Sequence, residues 1–219
     1  AFTHNFNFNL GDSWNKVLEF PGDEQITQVE ELSRIIRVGV PLNSYYGYKM
    51  AGFFQSYDEI EASAIPVGAK VQPGDIKFVD RNDDGIIDSK DKFILGNAFP
   101  RYTFGFTYGL NWKGIDFSMF WQGVGNRDMM LRGELIEPYH ANYSYTIYKH
   151  QLDFWTPTNT EARWPRLAAP GSDSNRNNYG NGNGSDLFLL DGKYLRLKNL
   201  TIGYTLPKEW TKHLGMQKA

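Results

Sequence analysis

Strict alternation of apolar and polar positions runs through residues 101 to 112, the stretch RYTFGFTYGLNW. One side carries the large apolar side chains Tyr102, Phe104, Phe106, Tyr108, Leu110 and Trp112. The other side carries the small or polar residues Thr103, Gly105, Thr107, Gly109 and Asn111. A period of two over about ten residues predicts a β-strand long enough to cross a bilayer at a tilt.

The alternation restarts after Lys113-Gly114, and this fixes the register of a hairpin. The apolar positions are now Ile115, Phe117, Met119 and Trp121, the polar ones are Asp116, Ser118 and Gln122, and Phe120 is the exception. With a two-residue loop, the paired residues are Trp112 with Ile115, Leu110 with Phe117, Tyr108 with Met119, and Phe106 with Trp121. A slip of one residue would scramble both faces. One apolar and one small polar face fit the wall of a membrane barrel; a soluble β-sandwich hairpin is the alternative.

The same two-faced pattern recurs near both ends of the chain. In residues 2 to 12, Phe and Leu share a face with His4, and Thr, Asn and Gly take the other. We interpret His4 as a packing residue rather than a ligand. Another strand is predicted from Tyr194 to Leu206, followed by a short helix that begins at Pro207 and ends at Gly215.

Composition narrows the class of protein. The net charge is -2 and no Lys/Arg cluster occurs, so nucleic-acid binding is not indicated. The chain contains no cysteine, which excludes disulfides and thiol chemistry. Aromatic residues make up 16% and there are 22 glycines, as tightly packed β structure with many turns requires. No apolar run approaches about 18 residues, so no transmembrane helix is predicted.

Residues 80 to 91, DRNDDGIIDSKD, have the ligand spacing of an EF-hand calcium loop. The predicted metal ligands are Asp80, Asn82, Asp84, the carbonyl of Ile86, Asp88 and Asp91. Gly85 stands where such a loop turns sharply. Asp91 replaces the usual bidentate Glu, so Ca²⁺ binding should be weak, and strand-like flanks predict a static clip. The alternative is an Asx-rich turn with Asp84-Gly85 at its apex.

Other segments give weaker signals. Within residues 13 to 33, DEQITQVEEL has the pattern of a helical turn. Residues 125 to 193 are irregular; a short helix is expected within 139 to 155, where Tyr145, Tyr148 and Leu152 recur at helical spacing. The Asn/Gly/Ser-rich stretch 171 to 186 is not expected to bury a core. One aromatic cluster could stack on sugars or pack a loop: Tyr45, Tyr46, Tyr48, Phe53 and Phe54.

Four phrases, in this order, resemble the C-terminal part of SusC/RagA-type TonB-dependent outer-membrane transporters. They are VGVPLNSYYGYKMAGFFQS, PGDIKFVDRNDDGIIDSKDKFILGN, FPRYTFGFTYGLNWKGIDFSMFWQGVG and DGKYLRLKNLTIGYTLP, and they cover most of residues 35–125 and 186–207. The family's plug domain, TonB-contacting segment, earlier strands and final strands have no counterpart here. We therefore expect residues 1–219 to be a piece of a longer barrel protein.

The resemblance implies an all-β fold, namely part of an antiparallel transmembrane barrel of about 22 strands with a plugged lumen. It also implies import of glycans or peptides through the bacterial outer membrane, driven by TonB and assisted by a SusD-like lipoprotein, without enzymatic activity. Lys113-Gly114 would be a periplasmic turn. Because successive strands cross the membrane in alternating directions, an Asp-rich loop (75–100) and a long loop (125–193) would be extracellular. The helix at Pro207 would be periplasmic.

Two other classes remain open at this point. One is a secreted β-sandwich carbohydrate-binding module with a calcium clip. The other is a glycan hydrolase using Glu134 and Glu137. The hydrolase has little support, because nothing in the sequence positions two carboxyl groups across a substrate.

Overall fold

The computed structural model describes residues 2–29, 32–133, 135–139, 147–180 and 184–212. The strands are β1 (Phe2–Gly11), β2 (Glu24–Val29), β3 (Leu32–Arg37), β4 (Ser44–Gly47), β5 (Met50–Phe53), β6 (Ile65–Pro66), β7 (Ile76–Phe78), β8 (Ile86–Ile87), β9 (Phe93–Gly96), β10 (Arg101–Trp112), β11 (Ile115–Asn126), β12 (Asp128–Met130), β13 (Leu189–Asp191) and β14 (Tyr194–Tyr204). The α-helices are α1 (Tyr57–Glu61), α2 (Asp173–Tyr179) and α3 (Lys208–Lys212). Among the described helices, none has the length and apolar character needed to span a membrane.

The chain divides into two compact units. Unit 1 consists of Ala1–Trp14, Phe99–Arg127 and Asp191–Ala219, and unit 2 consists of Asn15–Ala98 and Asp128–Leu190. Most of the two predicted loops, residues 75–98 and 128–190, therefore belongs to a unit that also includes residues 15–74.

Unit 1 is an antiparallel sheet with the strand order β1-β10-β11-β14. The β10–β11 register is the predicted one, with Trp112 opposite Ile115 and Phe106 opposite Trp121. Lys113 and Gly114 form the connecting turn with φ angles of 46° and 86°. Positive φ at both turn residues is the geometry that lets a two-residue loop follow the strand twist.

The alternation in β10 begins one residue later than the sequence pattern indicates. Tyr102 has a φ of 54°, in the left-handed region, and the regular register with β1 ends at Thr103 opposite Gly11. Arg101 lies beside it and forms a bidentate ion pair with Asp12. The apolar face of β10 is therefore continuous from Phe104 to Trp112.

A register shift in β14 keeps its apolar residues on one side. Phe120 pairs with Asn199, but Trp121 pairs with Leu197, so Lys198 is the extra residue of a β-bulge. Leu195 and Leu197 on one side of the bulge therefore share a face with the apolar residues beyond it, Leu200, Ile202 and Tyr204. Without the bulge, the change from odd to even positions would turn these two groups to opposite faces.

Unit 2 contains short sheets. Their strand orders are β2-β3-β4-β9, β5-β7, β6-β8 and β12-β13, and β6-β8 is parallel. The helical turn predicted in DEQITQVEEL is wrong, because Glu24–Val29 is β2 and pairs with β3. An ion pair between Glu24 and Arg37 joins the two strands. The strand-like flanks of the Asp-rich segment are confirmed as β7 and β9.

Two aromatic-rich clusters form the core of unit 2. One contains Tyr48, Phe53, Ile76, Phe78, Ile87, Trp155 and Ala162. The other contains Tyr45, Met130, Trp164, Tyr179 and Phe188. The predicted aromatic cluster thus packs the interior: Tyr45, Tyr46, Tyr48, Phe53 and Phe54 are each at most 8% exposed. Their rings are not available for stacking on sugars.

The expectation that the Asn/Gly/Ser-rich stretch buries nothing is wrong for its first half. Ser172 caps α2 by accepting a hydrogen bond from the Asn175 backbone N–H. Asn177 and Asn178 are buried at 2% and 0% exposure. Residues 181–183 of this stretch lie outside the described residues.

The buried amides of α2 bind the start of β7. Asn178 Oδ1 accepts from the Ile76 backbone N–H at 2.8 Å, and Asn178 Nδ2 donates to Asp75 Oδ1 at 3.1 Å. Ser174 Oγ donates to the other Asp75 oxygen at 2.7 Å. Burial raises the pKa of Asp75, and these hydrogen bonds oppose the rise. α2 is therefore held by these polar contacts together with the packing of Tyr179 in the second aromatic cluster.

The remaining helix predictions are partly covered by the described residues. α3 begins near Pro207 as expected, but the predicted end at Gly215 lies outside the described residues. Within 139 to 155, the described residues form a 3₁₀ turn at Lys149–Gln151, and Tyr145 lies outside the described residues.

Candidate functional site

The sheet of unit 1 exposes one continuous apolar face. Across β1, β10 and β11 this face aligns Phe6 with Tyr108 and Met119, and Phe8 with Phe106 and Trp121. Phe6 is 67% exposed and, on β14, Ile202 is 71% exposed. His4 belongs to this face and contacts the rings of Phe2 and Tyr108 edge-on. Such a large apolar patch indicates contact with lipid or with another protein.

The opposite face is made largely of small and amide side chains, with Asp116 on β11 and Arg196 on β14 as charged members. Asn5 lies over Gly109 and Asn9 lies over Gly105, so a Cβ on either glycine would collide with or crowd the amide. Phe120 is the aromatic exception and also packs against Gly105. The face carries polar groups without forming a packed interior, which suits a wall facing a polar filling.

Both edge strands of this sheet lack a second neighbour within the described residues. β1 pairs with β10, and β14 pairs with β11. Free backbone N–H and C=O groups on long edge strands require a further strand, most of all in lipid, where each unpaired group costs several kcal/mol. The sheet therefore has the properties of a segment of a larger sheet. The Phe104/Phe106 face is not enclosed in a soluble core.

The Asp-rich segment forms a tight loop stabilised by its own carboxylates. Asp80 Oδ2 accepts from the Gly85 backbone N–H at 2.8 Å, and Asp84 Oδ1 accepts from Ile86 N–H at 3.0 Å. Asp88 Oδ1 accepts from Lys90 N–H at 2.7 Å. Asn82 Nδ2 donates to Asp84 Oδ2 at 2.8 Å. These bonds are those expected of an Asx-rich turn.

The buried side chain of Asp91 joins two parts of the loop through hydrogen bonds to their backbone. It is 0% exposed, and its two oxygens accept from the backbone N–H groups of Arg81 at 2.9 Å and Asp88 at 2.7 Å. Asp80 Oδ1, by contrast, is buried without a hydrogen-bond partner, as an oxygen reserved for a cation would be. In the described part of the chain, no three His, Cys, Asp or Glu side chains are grouped to hold a metal. The calcium site at Asp80, Asn82, Asp84, Ile86, Asp88 and Asp91 stays a prediction.

Chelation separates the metal from the simple turn. If Ca²⁺ gathers these oxygens, EGTA should speed proteolysis of the loop in the full-length protein, because five Asp residues would lose their counter-charge. Asp84→Ala should abolish this sensitivity. The matched control is Asp83→Asn, at a non-ligand position with a φ of 56° that Asn tolerates. Identical digestion with and without EGTA would leave only the turn.

The two carboxylates considered for hydrolysis do not form a catalytic pair among the described residues. Glu137 is 2% exposed and forms a buried ion pair with Arg132. Arg132 also donates to the Tyr179 carbonyl at 2.9 Å. Glu134 lies outside the described residues. The role of Glu137 visible here is to neutralise a buried arginine.

Known proteins resemble this chain over nearly all of its length. It is 30% identical over 99% of its length to TonB-dependent receptor P3 of Formosa agariphila, covering 21% of that protein. It is 27% identical over 95% of its length to the TonB-dependent receptor SusC of Bacteroides thetaiotaomicron, covering 19%. The chain thus spans about a fifth of the length of these curated relatives. No protein-family model matches.

A solved structure shares the fold. The RagAB peptide transporter superposes with a TM-score of 0.61 at 20% sequence identity. The match covers 95% of this chain and 21% of that chain. This likeness shows that the two chains share a fold over nearly all of the length of this one.

Proposed function

Because the chain belongs to the SusC/RagA type of TonB-dependent receptors and is part of their outer-membrane β-barrel, we propose that the whole protein is an outer-membrane nutrient importer. It takes up glycans or peptides, receives them from a SusD-like surface lipoprotein and uses energy delivered through TonB. It acts as a transporter rather than an enzyme. The observation that carries this proposal is the division of the unit 1 sheet into an apolar and an amide-rich face.

The two faces suit the two environments of a barrel wall. Lipid requires an apolar outer surface, and the rows of Phe, Leu, Tyr, Met and Trp across four strands supply it. The lumen of a large transporter barrel holds polar filling, and the Asn, Thr and Gly rows suit that contact. Unpaired edges at β1 and β14 are then continued by strands of the same barrel.

Successive strands of a barrel cross the membrane in alternating directions, and this supports an orientation for the proposed barrel. The Lys113-Gly114 turn is short, as periplasmic turns are, whereas extracellular loops are long. The last residues of β1 and β11 and the first residues of β14 lie at the end of the sheet opposite this turn, where these strands connect to the rest of the chain. We therefore assign residues 75–100 and 125–193 to the cell exterior and α3 to the periplasmic side.

Localisation, co-purification and growth measurements test the proposal. The full-length protein should fractionate with the outer membrane and should co-purify with a lipoprotein encoded beside it. Growth on the nutrient processed by the neighbouring glycosidases or peptidases should require both this receptor and TonB. A receptor that supports the same growth in a strain lacking TonB would contradict energy-coupled import.

The secreted carbohydrate-binding module is not favoured. Such a module would bury its large apolar residues between two sheets, whereas Phe2, Phe6 and Leu10 remain more than half exposed. It should also remain monomeric without detergent, and the proposed barrel protein should not.

A further inference from the structure

Unit 2 has an open groove of about 410 Å³ lined by rings. Its lining includes the aromatic rings of Tyr57, Phe154 and Trp155 and the apolar rings of Pro73 and Pro157. Tyr57, the first residue of α1, is 63% exposed. Within the described residues, neither Tyr57, Phe154 nor Trp155 stacks on another aromatic ring. Trp155 is 8% exposed and Phe154 packs partly against the second core cluster, so Tyr57 presents the most open ring face.

The bottom of the groove is fixed by close packing. Gly74 has a φ of 90°, and a Cβ there would collide with the Trp155 indole and crowd Arg166 Cβ. Trp155 Nε1 donates to Gln55 Oε1 at 3.2 Å. The Arg166 backbone N–H donates to the Gly74 carbonyl at 2.8 Å. The indole and the backbone of Arg166 are therefore held in place before any ligand binds.

The groove lining also presents hydrogen-bond donors and a positive charge, on Gln72 and Arg166. The Arg166 guanidinium donates one N–H to Gln72 Oε1. Its other N–H groups and Gln72 Nε2 have no recorded partner within the described residues. No acidic residue lines the groove. Asp75, which interacts electrostatically with Arg166, is fully buried, and its oxygens accept from Ser174, Asn178 and the Gln72 backbone.

The hydrogen-bond donors and the positive charge of the groove favour a negatively charged ligand. A guanidinium beside a primary amide binds a carboxylate in a planar, charge-assisted arrangement. A neutral polyol, which donates as well as accepts, would also require acceptors, and the acceptors on the lining side chains beyond Gln72 are hydroxyls. The groove therefore favours an anionic group next to a flat apolar surface.

The main chain of the groove argues against an extended peptide. The Trp155 N–H donates to the Trp164 carbonyl at 2.9 Å, and the Thr156 N–H donates to the Asn159 carbonyl at 3.3 Å. The Phe154 carbonyl accepts from Asn159 Nδ2 at 3.3 Å. These groups offer no open strand edge to which a peptide could add. A ring ligand requires only the side-chain faces and the donor pair.

We propose that this groove binds a uronic-acid unit of an acidic glycan, with the sugar ring against Tyr57 and Phe154 and its carboxylate on Arg166 and Gln72. The inference rests on the proposed import function and gives it a substrate class. The groove would hold an acidic glycan on unit 2 while the remainder of the chain is delivered for import.

The test uses the full-length receptor in detergent and three probes: trigalacturonate, its methyl ester and a decaproline peptide. Binding is measured by titration calorimetry. Trigalacturonate should bind, and the methyl ester, which keeps the rings without the charge, should bind at least roughly tenfold more weakly. Arg166→Gln should weaken trigalacturonate binding roughly 10- to 100-fold, the range of a charged hydrogen-bond partner. Arg163→Gln, which removes the same charge outside the groove, should not change it.

Tyr57→Ala is a second test of ligand binding in the groove, because this exposed ring can be removed without opening the core. It should weaken trigalacturonate binding about fivefold or more, as expected for loss of a ring contact. Equal binding of acid and ester, no binding of trigalacturonate, or unchanged binding by Arg166→Gln would overturn the proposal. Binding of decaproline alone would assign the groove to peptides. Outer-membrane location and TonB-dependent growth are scored separately, so failure of the groove is distinguishable from failure of the import function.

Discussion

Asn178→Ala should destabilise unit 2 by about 3–5 kcal/mol, because it leaves two buried groups without a partner. The Ile76 N–H loses its acceptor, and Asp75 Oδ1 loses a donor at a site with 0% exposure. Deleting the amide also creates a void that water is poorly placed to fill. Native-state proteolysis of the full-length receptor, read at cleavage sites within unit 2, measures the change.

The loss should depend on pH. Burial already raises the pKa of Asp75, and removal of the Asn178 donor would raise it further. A carboxyl whose folded pKa is raised is penalised when ionised, so the penalty is present above the folded pKa and fades as the pH falls through it. Asn178→Ala should therefore be more destabilising at pH 7 than at pH 4.

A surface substitution on the same helix serves as the control. Arg176→Ala removes an exposed ion pair with Asp173, whose side chains are 65% and 40% exposed. Such pairs contribute about 0–1 kcal/mol. If Asn178→Ala were as mild as Arg176→Ala at both pH values, the polar network would contribute little to holding α2.

The hairpin of unit 1 was predictable because local signals agreed. Alternation assigns every residue from Thr103 to Trp112 to a face, and the Lys113-Gly114 turn leaves one register in which both faces match. Tyr102 departs from the pattern because its left-handed backbone interrupts the strand. The β14 bulge was not predicted. Its signal in the sequence is that Leu195 and Leu197 occupy odd positions, whereas Leu200, on the same face, occupies an even one.

Unit 2 was less predictable because its order depends on distant partners. Residues 24–28 of β2 are exposed, so no buried face imposes alternation on them, and the pairing of β2 comes from β3. α2 is rich in Ser and Asn, a composition that is typical of disordered segments. Its amides bind backbone about 100 residues away in the chain. Ser172 as a helix N-cap was the available local signal.

The Asp-rich loop shows where motif spacing stops being informative. The spacing correctly located a tight loop between β7 and β9, with Gly85 at a φ of 83°. It could not distinguish carboxylates that bind a cation from carboxylates that bind their own backbone, because both uses favour Asp and Asn at the same positions.

In the proposed barrel, the apolar face of the unit 1 sheet contacts lipid and the opposite face contacts the lumen. Tyr108 lies on the apolar face between Phe6 and Met119, and Thr107 lies on the other face between Asn7 and Phe120. These adjacent residues sit at nearly the same depth. A lysine in lipid near mid-depth costs roughly 2–4 kcal/mol, whereas a lysine in the lumen finds water or a carboxylate.

The most direct measurement is therefore the folding yield of the full-length receptor carrying Tyr108→Lys or Thr107→Lys, in an outer-membrane assembly assay that scores heat-modifiable barrel. Tyr108→Lys should lower the yield strongly, and Thr107→Lys should remain close to the unsubstituted protein. Equal yields, or a greater loss for Thr107→Lys, would contradict the assignment of the two faces.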